Sequence, residues 1–238
     1  MSFDDLNIPE WVQAAWSRPP KKGDILFRSL ASEERNVCNL ELNAVLRKAD
    51  GYAYSEGYRL AARDIADRAI QDPMSADFLV YPVIFLYRHY VELQLKRLIP
   101  LGAVLVKQDL SKADFELLQK SHRLDHLWVV FEGILQNARQ EGIPIGPDEI
   151  EGVGWYIREM HDIDPKSYGF RYAVTPSGQA SVNHERHPTL NIGVIAKGME
   201  RLAGYLFGLG EAFQEAQQLK GEMENDARSE YVEYYDSF

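Results

Sequence analysis

The sequence lacks several features that would place the protein in a specialised class. It contains 1 cysteine, Cys38, so it cannot form an internal disulfide, and this fits a reducing compartment. Its longest apolar run, from Phe78 to Tyr87, is far shorter than the roughly 20 residues that cross a bilayer. The N-terminus has no basic region followed by an apolar one, so no secretory signal is predicted. These absences predict a cytoplasmic protein with no membrane partner.

Positive charge is also scarce. The chain has 26 lysines and arginines against 36 aspartates and glutamates, a formal net charge of -10. This balance argues against a broad surface that coats nucleic acid, but it leaves room for a small basic cleft. There is no internal repeat and no low-complexity tract. With 238 residues, 45% of them hydrophobic, the chain is long enough to bury a substantial core.

The spacing of the apolar residues predicts a mainly all-α protein, an up-and-down bundle of five or six helices. Serine and aspartate precede several helix starts, while proline and glycine follow several helix ends. The predicted helices cover residues 32–48, 55–71, 77–99, 122–135, 148–161 and 191–227, with a further short helical piece within 109–119.

One stretch breaks the helical pattern. Residues 168–183 alternate on either side of Thr175-Pro-Ser-Gly178, which has the composition of a tight turn, so a small β-hairpin is predicted there. The predicted organisation is a docking arm over residues 1–30, one helical domain over 31–228 that carries the hairpin, and an acidic tail over 229–238.

The central predicted helix, Asp77–Ile99, is the most apolar segment and yet carries charges on its apolar side. At about 100° per residue, Arg88, Glu92 and Lys96 share a face with aromatic and aliphatic residues. The opposite face is predicted to meet water; its members are Tyr90, Gln94 and Arg97. Burying unpaired charge is costly, so the charged residues need partners elsewhere in the chain. Arg171, on an otherwise apolar segment, is the predicted partner of Glu92 or of an aspartate, and His122, from the next long helix, is the other candidate partner of these charges.

Two interpretations of this polar seam stay open. In the first, the i, i+4 spacing makes a structural series of ion pairs and nothing more. In the second, the seam lines a cleft in which Arg88 grips a phosphate or carboxylate and Glu92 orients Arg88. Lys96 would add a further binding group, and Arg171 would close the cleft.

Proton transfer in such a cleft would fall to one of two histidines, His89 or His122, which are the candidate catalytic residues. His122 lies four residues before His126, a spacing at which two imidazoles can share a metal. No glutamate follows His122 and no third ligand can be assigned, so neither a metal site nor a cofactor is predicted. Capping or packing at a helix start is the alternative role of His122.

Four segments together point to a family. They are Tyr58-Arg-Leu-Ala-Ala62, Tyr81-Pro-Val-Ile-Phe-Leu-Tyr-Arg-His-Tyr-Val-Glu-Leu-Gln-Leu-Lys96, His122-Arg-Leu-Asp-His-Leu127 and Asp164-Pro-Lys-Ser-Tyr-Gly-Phe-Arg-Tyr172. In these segments the chain resembles HEPN-type helical-bundle proteins of bacteria. More narrowly, it resembles a bacterial group that shares the Arg-His-x-x-Glu-Leu-x-Leu-Lys helix and the Phe-Arg-Tyr hairpin. The resemblance covers roughly residues 55–210.

The resemblance implies a helical bundle that is often a homodimer. It also implies relatives that cut RNA without metal in toxin–antitoxin and phage-defence systems. Those ribonucleases use an arginine and a histidine separated by four to six residues, a spacing that this chain does not contain. The sequence therefore leaves open whether the protein is an enzyme that cleaves RNA, a binder of RNA or a nucleotide, or a non-catalytic module that engages a protein partner. In the last case the acidic tail would contribute; its tyrosines are Tyr231, Tyr234 and Tyr235.

Overall fold

The computed structural model describes the backbone of residues 51–236 and the side chains of residues 51–223. This part of the chain forms six α-helices and one short 3-10 turn, Pro73–Ser75. The helices are α1 Gly51–Gln71, α2 Ala76–Leu105, α3 Lys112–Lys120, α4 Leu124–Gln140, α5 Pro147–Ile163 and α6 Ile192–Asp236. The prediction of an all-α helical bundle is confirmed. The predicted arm over residues 1–30 and the predicted helix over residues 32–48 lie outside the described residues.

Helix α2 is the centre of the bundle. It packs against α1, α4 and α6, and α5 packs against α4. The core is made from the apolar faces of these helices, including Leu95 and Leu98 of α2, Phe131 of α4 and Phe213 of α6. Within residues 51–236, no helix has both the length and the apolar character that crossing a bilayer needs.

Of the residues of α2 predicted to face water, Tyr90 and Gln94 do not, because α1 and α6 cover them, whereas Arg97 is partly exposed. Tyr90 and Gln94 are both buried. The amide of Gln94 donates to Ser55 Oγ of α1 at 3.2 Å, and the hydroxyl of Tyr90 lies 3.5 Å from the carbonyl oxygen of Ala203 in α6. Polar residues on a helix face that neighbouring helices cover need internal partners.

Two helices extend beyond their predicted ends. Helix α2 continues through Pro100 to Leu105, because the buried residues of its last turns pack into the core. Tertiary burial here outweighs the local signal of a proline. Helix α6 continues past residue 227 to Asp236, so most of the predicted tail is helical.

The predicted β-hairpin over residues 168–183 is not found. The described residues contain no strand, and this segment holds one antiparallel bridge, between Val174 and Ala180. The expected turn is present, since the Gly178 N–H donates to the carbonyl oxygen of Thr175 at 2.9 Å. The flanking residues do not extend into strands, because the N–H groups of residues 171 and 172 both turn back to the Tyr168 carbonyl.

Gly102 and Gly133 provide a matched test of how tightly the bundle is packed. A Cβ at Gly102 would lie 2.5 Å from Ile134 Cγ2 and 2.8 Å from Phe213 Cε2, whereas a Cβ at Gly133 meets nothing within 4 Å. We expect Gly102→Ala to destabilise the fold by about 1–3 kcal/mol, because it overpacks the core. Gly133→Ala should stabilise it by about 0.5–1 kcal/mol through helix propensity. Urea unfolding followed by circular dichroism measures the free energy of unfolding of both variants. A change of the same sign in both would contradict the difference in packing between the two sites.

Candidate functional site

The site is built on Arg88 of α2, whose side chain is 1% exposed. Its Nε donates to the carbonyl oxygen of Asp164 at 3.1 Å, and its Nη2 donates to the carbonyl oxygen of His122 at 2.7 Å. Its Nη1 lies 3.5 Å from Glu92 Oε2. All three guanidinium nitrogens are therefore used inside the protein. Arg88 connects α2 to the end of α5 and to the segment before α4, and in this arrangement it does not present its charge to an external anion.

Glu92, one helical turn further along α2, is 1% exposed and contacts two more side chains. Its Oε1 accepts from Lys96 Nζ at 2.9 Å and lies 2.8 Å from His122 Nδ1. Burial by itself would raise the pKa of this carboxyl. The hydrogen bonds from Lys96 and His122, together with their charges, outweigh burial and hold the pKa of Glu92 below its usual value. Glu92 is thus an ionised carboxylate in the protein interior.

The ionised state of Glu92 determines the tautomer of His122. A carboxylate can only accept, so His122 Nδ1 carries the proton and donates it to Glu92 Oε1. In the neutral form of the ring, Nε2 is then the basic nitrogen. The His122 side chain is 57% exposed, and the N-cap of α4 is Arg123, with no side-chain capping bond. His122 is therefore neither a cap nor a packing residue; it is an exposed imidazole on a buried carboxylate.

His89 lies one residue after Arg88 and faces an aromatic environment. Its ring stacks on Phe85 with centroids 5.9 Å apart and an interplanar angle of 8°. Tyr58 of α1 meets it edge-on at 4.4 Å. Burial lowers the pKa of His89, the charges of His122, Lys96 and Arg171 lower it further, and Glu92 opposes them. His89 is therefore a neutral imidazole at pH 7, held by two aromatic neighbours that the sequence patterns did not single out.

Arg171 does not pair with Glu92 or with an aspartate, contrary to the expectation. Its Nε donates to the carbonyl oxygen of Ser167 at 2.6 Å, and its guanidinium lies over the rings of Phe85 and Tyr172. The turn that carries it is organised by Asp164, whose Oδ1 accepts from the N–H groups of residues 168 and 169 at 2.8 and 3.0 Å. Arg171 itself is exposed, so it is a cation available at the surface.

His122 and His126, whose spacing would allow two imidazoles to share a metal, do not converge. His122 contacts Glu92, whereas His126 Nε2 lies 3.9 Å from Asp125 Oδ2. Asp125 also lies 3.3 Å from His161 Nδ1 of α5. Across residues 51–223, no three histidine, cysteine, aspartate or glutamate side chains are placed to hold one metal ion.

The remaining candidates do come together. Three of them lie on one stretch of α2: His89, Glu92 and Lys96. His122 contacts this stretch at Glu92, and Arg171 packs over Phe85, the neighbour of His89. An imidazole oriented by a carboxylate can transfer protons, and the neighbouring cations can bind an anion. No protein-family model, no curated protein and no solved structure matches this chain.

Glu92→Gln tests the ionised carboxylate through its pH dependence. Because the pKa of Glu92 is lower in the folded than in the unfolded state, its ionisation stabilises the fold above its ordinary pKa of 4.5, and this stabilisation is lost as the pH falls through the folded pKa. We expect the variant to lose about 1–3 kcal/mol at pH 7 and to differ far less from wild type at pH 3. Urea unfolding at both pH values measures this, with the exposed Glu151→Gln as control. An equal difference at both pH values would contradict it.

Proposed function

We propose that this protein is a HEPN-like bundle protein that binds RNA and cleaves it without metal. The RNA binds at the surface where His122 and Arg171 lie beside His89 and Lys96 of α2. The observation that carries the proposal is the contact between His122 Nδ1 and Glu92 Oε1 at 2.8 Å, with the carboxylate buried and the imidazole exposed. The resemblance in the Arg-His helix supports the same assignment. A role in toxin–antitoxin or phage-defence systems belongs to the same proposal.

The reaction uses His122 as a general base. Nε2 removes the proton of a ribose 2′-hydroxyl, and the 2′-oxygen attacks the adjacent phosphorus. The P–O5′ bond breaks, the leaving 5′-oxygen takes a proton from water, and the His122 imidazolium returns its proton to the hydroxide that forms. The products are a 2′,3′-cyclic phosphate and a 5′-hydroxyl. Glu92 holds the ring in the required tautomer and stabilises the imidazolium that forms.

The other residues bind and position. Lys96 and Arg171 are the cations that face the substrate phosphates, since both reach the surface. Arg88 acts as a positioning residue, because its hydrogen bonds hold the His122 segment and the Asp164 turn against α2. The sequence had suggested that Arg88 binds the anion directly. The burial of its guanidinium disfavours that role.

The test is incubation of the purified protein with total RNA and with tRNA, in the presence of EDTA, beside His122→Gln. The proposal predicts decay by the wild type alone, with cyclic phosphate and 5′-hydroxyl ends on the fragments. Background-level decay by both proteins would remove the enzyme assignment.

A non-catalytic interaction module is the second candidate, and one observation favours it. Large apolar side chains are exposed around the turn between α1 and α2, with Met74 at 88% and Phe78 at 77% exposure. Exposed apolar groups of this size are typical of protein contact surfaces. RNA decay at background level, together with a defined protein complex, would favour this candidate. Light scattering decides whether a second copy of the chain, as in the expected homodimer, is the partner.

A further inference from the structure

Beside the proposed catalytic pair, aromatic rings and a guanidinium form a continuous series that we name the aromatic strip. It runs from the loop after α5, across α2, to α1. Its members, in order of contact, are Tyr168, Tyr172, Arg171, Phe85, His89 and Tyr58.

Each step of the strip is a direct contact. In the loop, the rings of Tyr168 and Tyr172 lie 4.5 Å apart at an angle of 33°. The Arg171 guanidinium lies 5.8 Å from the centroid of Tyr172 and 5.7 Å from that of Phe85. From Phe85 the series continues through His89 to Tyr58. Chain segments from three parts of the sequence thus contribute to one line of π systems.

The strip differs from the aromatic packing of the core in its exposure. Trp128 and Phe131 also form a ring pair, and both are buried. In contrast, the strip is exposed at its loop end, where Arg171 lies and where Tyr172 is 52% exposed, and its other four members, Tyr168, Phe85, His89 and Tyr58, are partly buried. Aromatic rings that only fill the core have no need to be reached from solvent.

The strip lies close to the groups that would contact the sugar–phosphate backbone. Phe85 and His89 precede Glu92 by seven and three residues on α2, which corresponds to about 10 Å and about 5 Å along the helix axis. Lys96 and His122 meet at Glu92, and Arg171 belongs to the strip itself. In proteins that bind a single strand, cations contact the phosphates and neighbouring aromatic rings stack on the bases.

From this placement we infer that the aromatic strip binds the unpaired bases of single-stranded RNA while its backbone passes the Glu92–His122 pair. The inference rests on the proposed function and specifies its substrate. A duplex keeps its base faces stacked on one another, so only an unpaired base can stack on a protein ring. Tyr172 provides the most accessible ring, and Arg171 beside it provides the phosphate contact.

The test measures binding to the full chain by fluorescence anisotropy, with three labelled probes of equal length. These are a 12-nucleotide oligouridylate, the same chain of abasic ribose phosphates, and an RNA duplex. The oligouridylate should bind at least tenfold more tightly than either of the other probes. Tyr172→Leu should weaken oligouridylate binding by about 5- to 150-fold, the value of one base stack, and leave abasic binding unchanged. Tyr54→Leu, at an exposed tyrosine of α1 outside the strip, is the matched control and should change neither.

The outcomes separate this inference from the function on which it rests. Equal binding of the abasic and base-containing probes, or of duplex and single strand, would overturn the role of the strip while RNA cleavage could still be observed. Tight single-strand binding that Tyr172→Leu weakens, without cleavage by the wild type, would support the strip and overturn the catalytic proposal. Absence of binding to all three probes would overturn both.

Discussion

Arg88→Ala is expected to lower the free energy of unfolding by about 3–5 kcal/mol, the usual cost of removing one member of a buried charge cluster. The guanidinium is 1% exposed and satisfies two backbone carbonyls, those of Asp164 and His122, besides facing Glu92. Its removal leaves these acceptors inside the protein without their donor, and it opens a cavity. Urea unfolding at pH 7 measures the change.

Two further variants make this result specific. Arg186 forms an exposed ion pair with Asp162 at 3.7 Å, so Arg186→Ala should cost less than about 1 kcal/mol. Arg88→Lys keeps the charge but cannot supply the planar fork that reaches three acceptors, so it should recover only part of the loss. If Arg88→Ala cost no more than Arg186→Ala, the role of Arg88 as the connection between α2, α5 and the His122 segment would be wrong.

His122→Gln is expected to reduce RNA cleavage by about 10²- to 10⁴-fold, the usual contribution of a general base. Glutamine can still donate to Glu92, so the fold should change little, while the basic nitrogen is lost. The measurement is the initial rate of fragment formation in EDTA, together with the affinity for the oligouridylate probe.

His126 offers the matched control for this variant. It is a second exposed histidine at the start of α4, and it faces Asp125 instead of Glu92. His126→Gln should therefore retain the wild-type rate. If His89→Gln abolished cleavage and His122→Gln did not, the base would be His89, and the Glu92–His122 contact would be structural. Equal loss in all three variants would indicate a general effect on folding.

Much of the bundle could be predicted from the sequence, because helix formation depends on the local spacing of apolar residues. Helices α1, α4 and α5 lie close to their predicted ranges. The burial of Arg88 and Glu92 was also predictable, since both lie among apolar residues on one face of α2. The HEPN-like assignment, by contrast, stays a prediction.

The tertiary structure decided what covers each face and which residues meet. Periodicity in one helix cannot show how many neighbours surround it, so the burial of Tyr90 and Gln94 by α1 and α6 was not predicted. The local sequence pattern also does not show which residues contact each other when they lie far apart in the chain. Of the two candidate partners of the charged seam, His122 does contact Glu92, 30 positions away, whereas Arg171 packs over Phe85 and does not form the expected ion pair.

The sequence by itself determined an apolar central helix with charges inside its buried face, because composition and spacing along one helix carry that information. Only the tertiary structure decided that Arg88 is used internally while His122 and Arg171 remain accessible. Accessibility depends on how the segments around Asp164 and His122 lie against α2, and Arg88 holds both of them through long-range hydrogen bonds to their carbonyl oxygens.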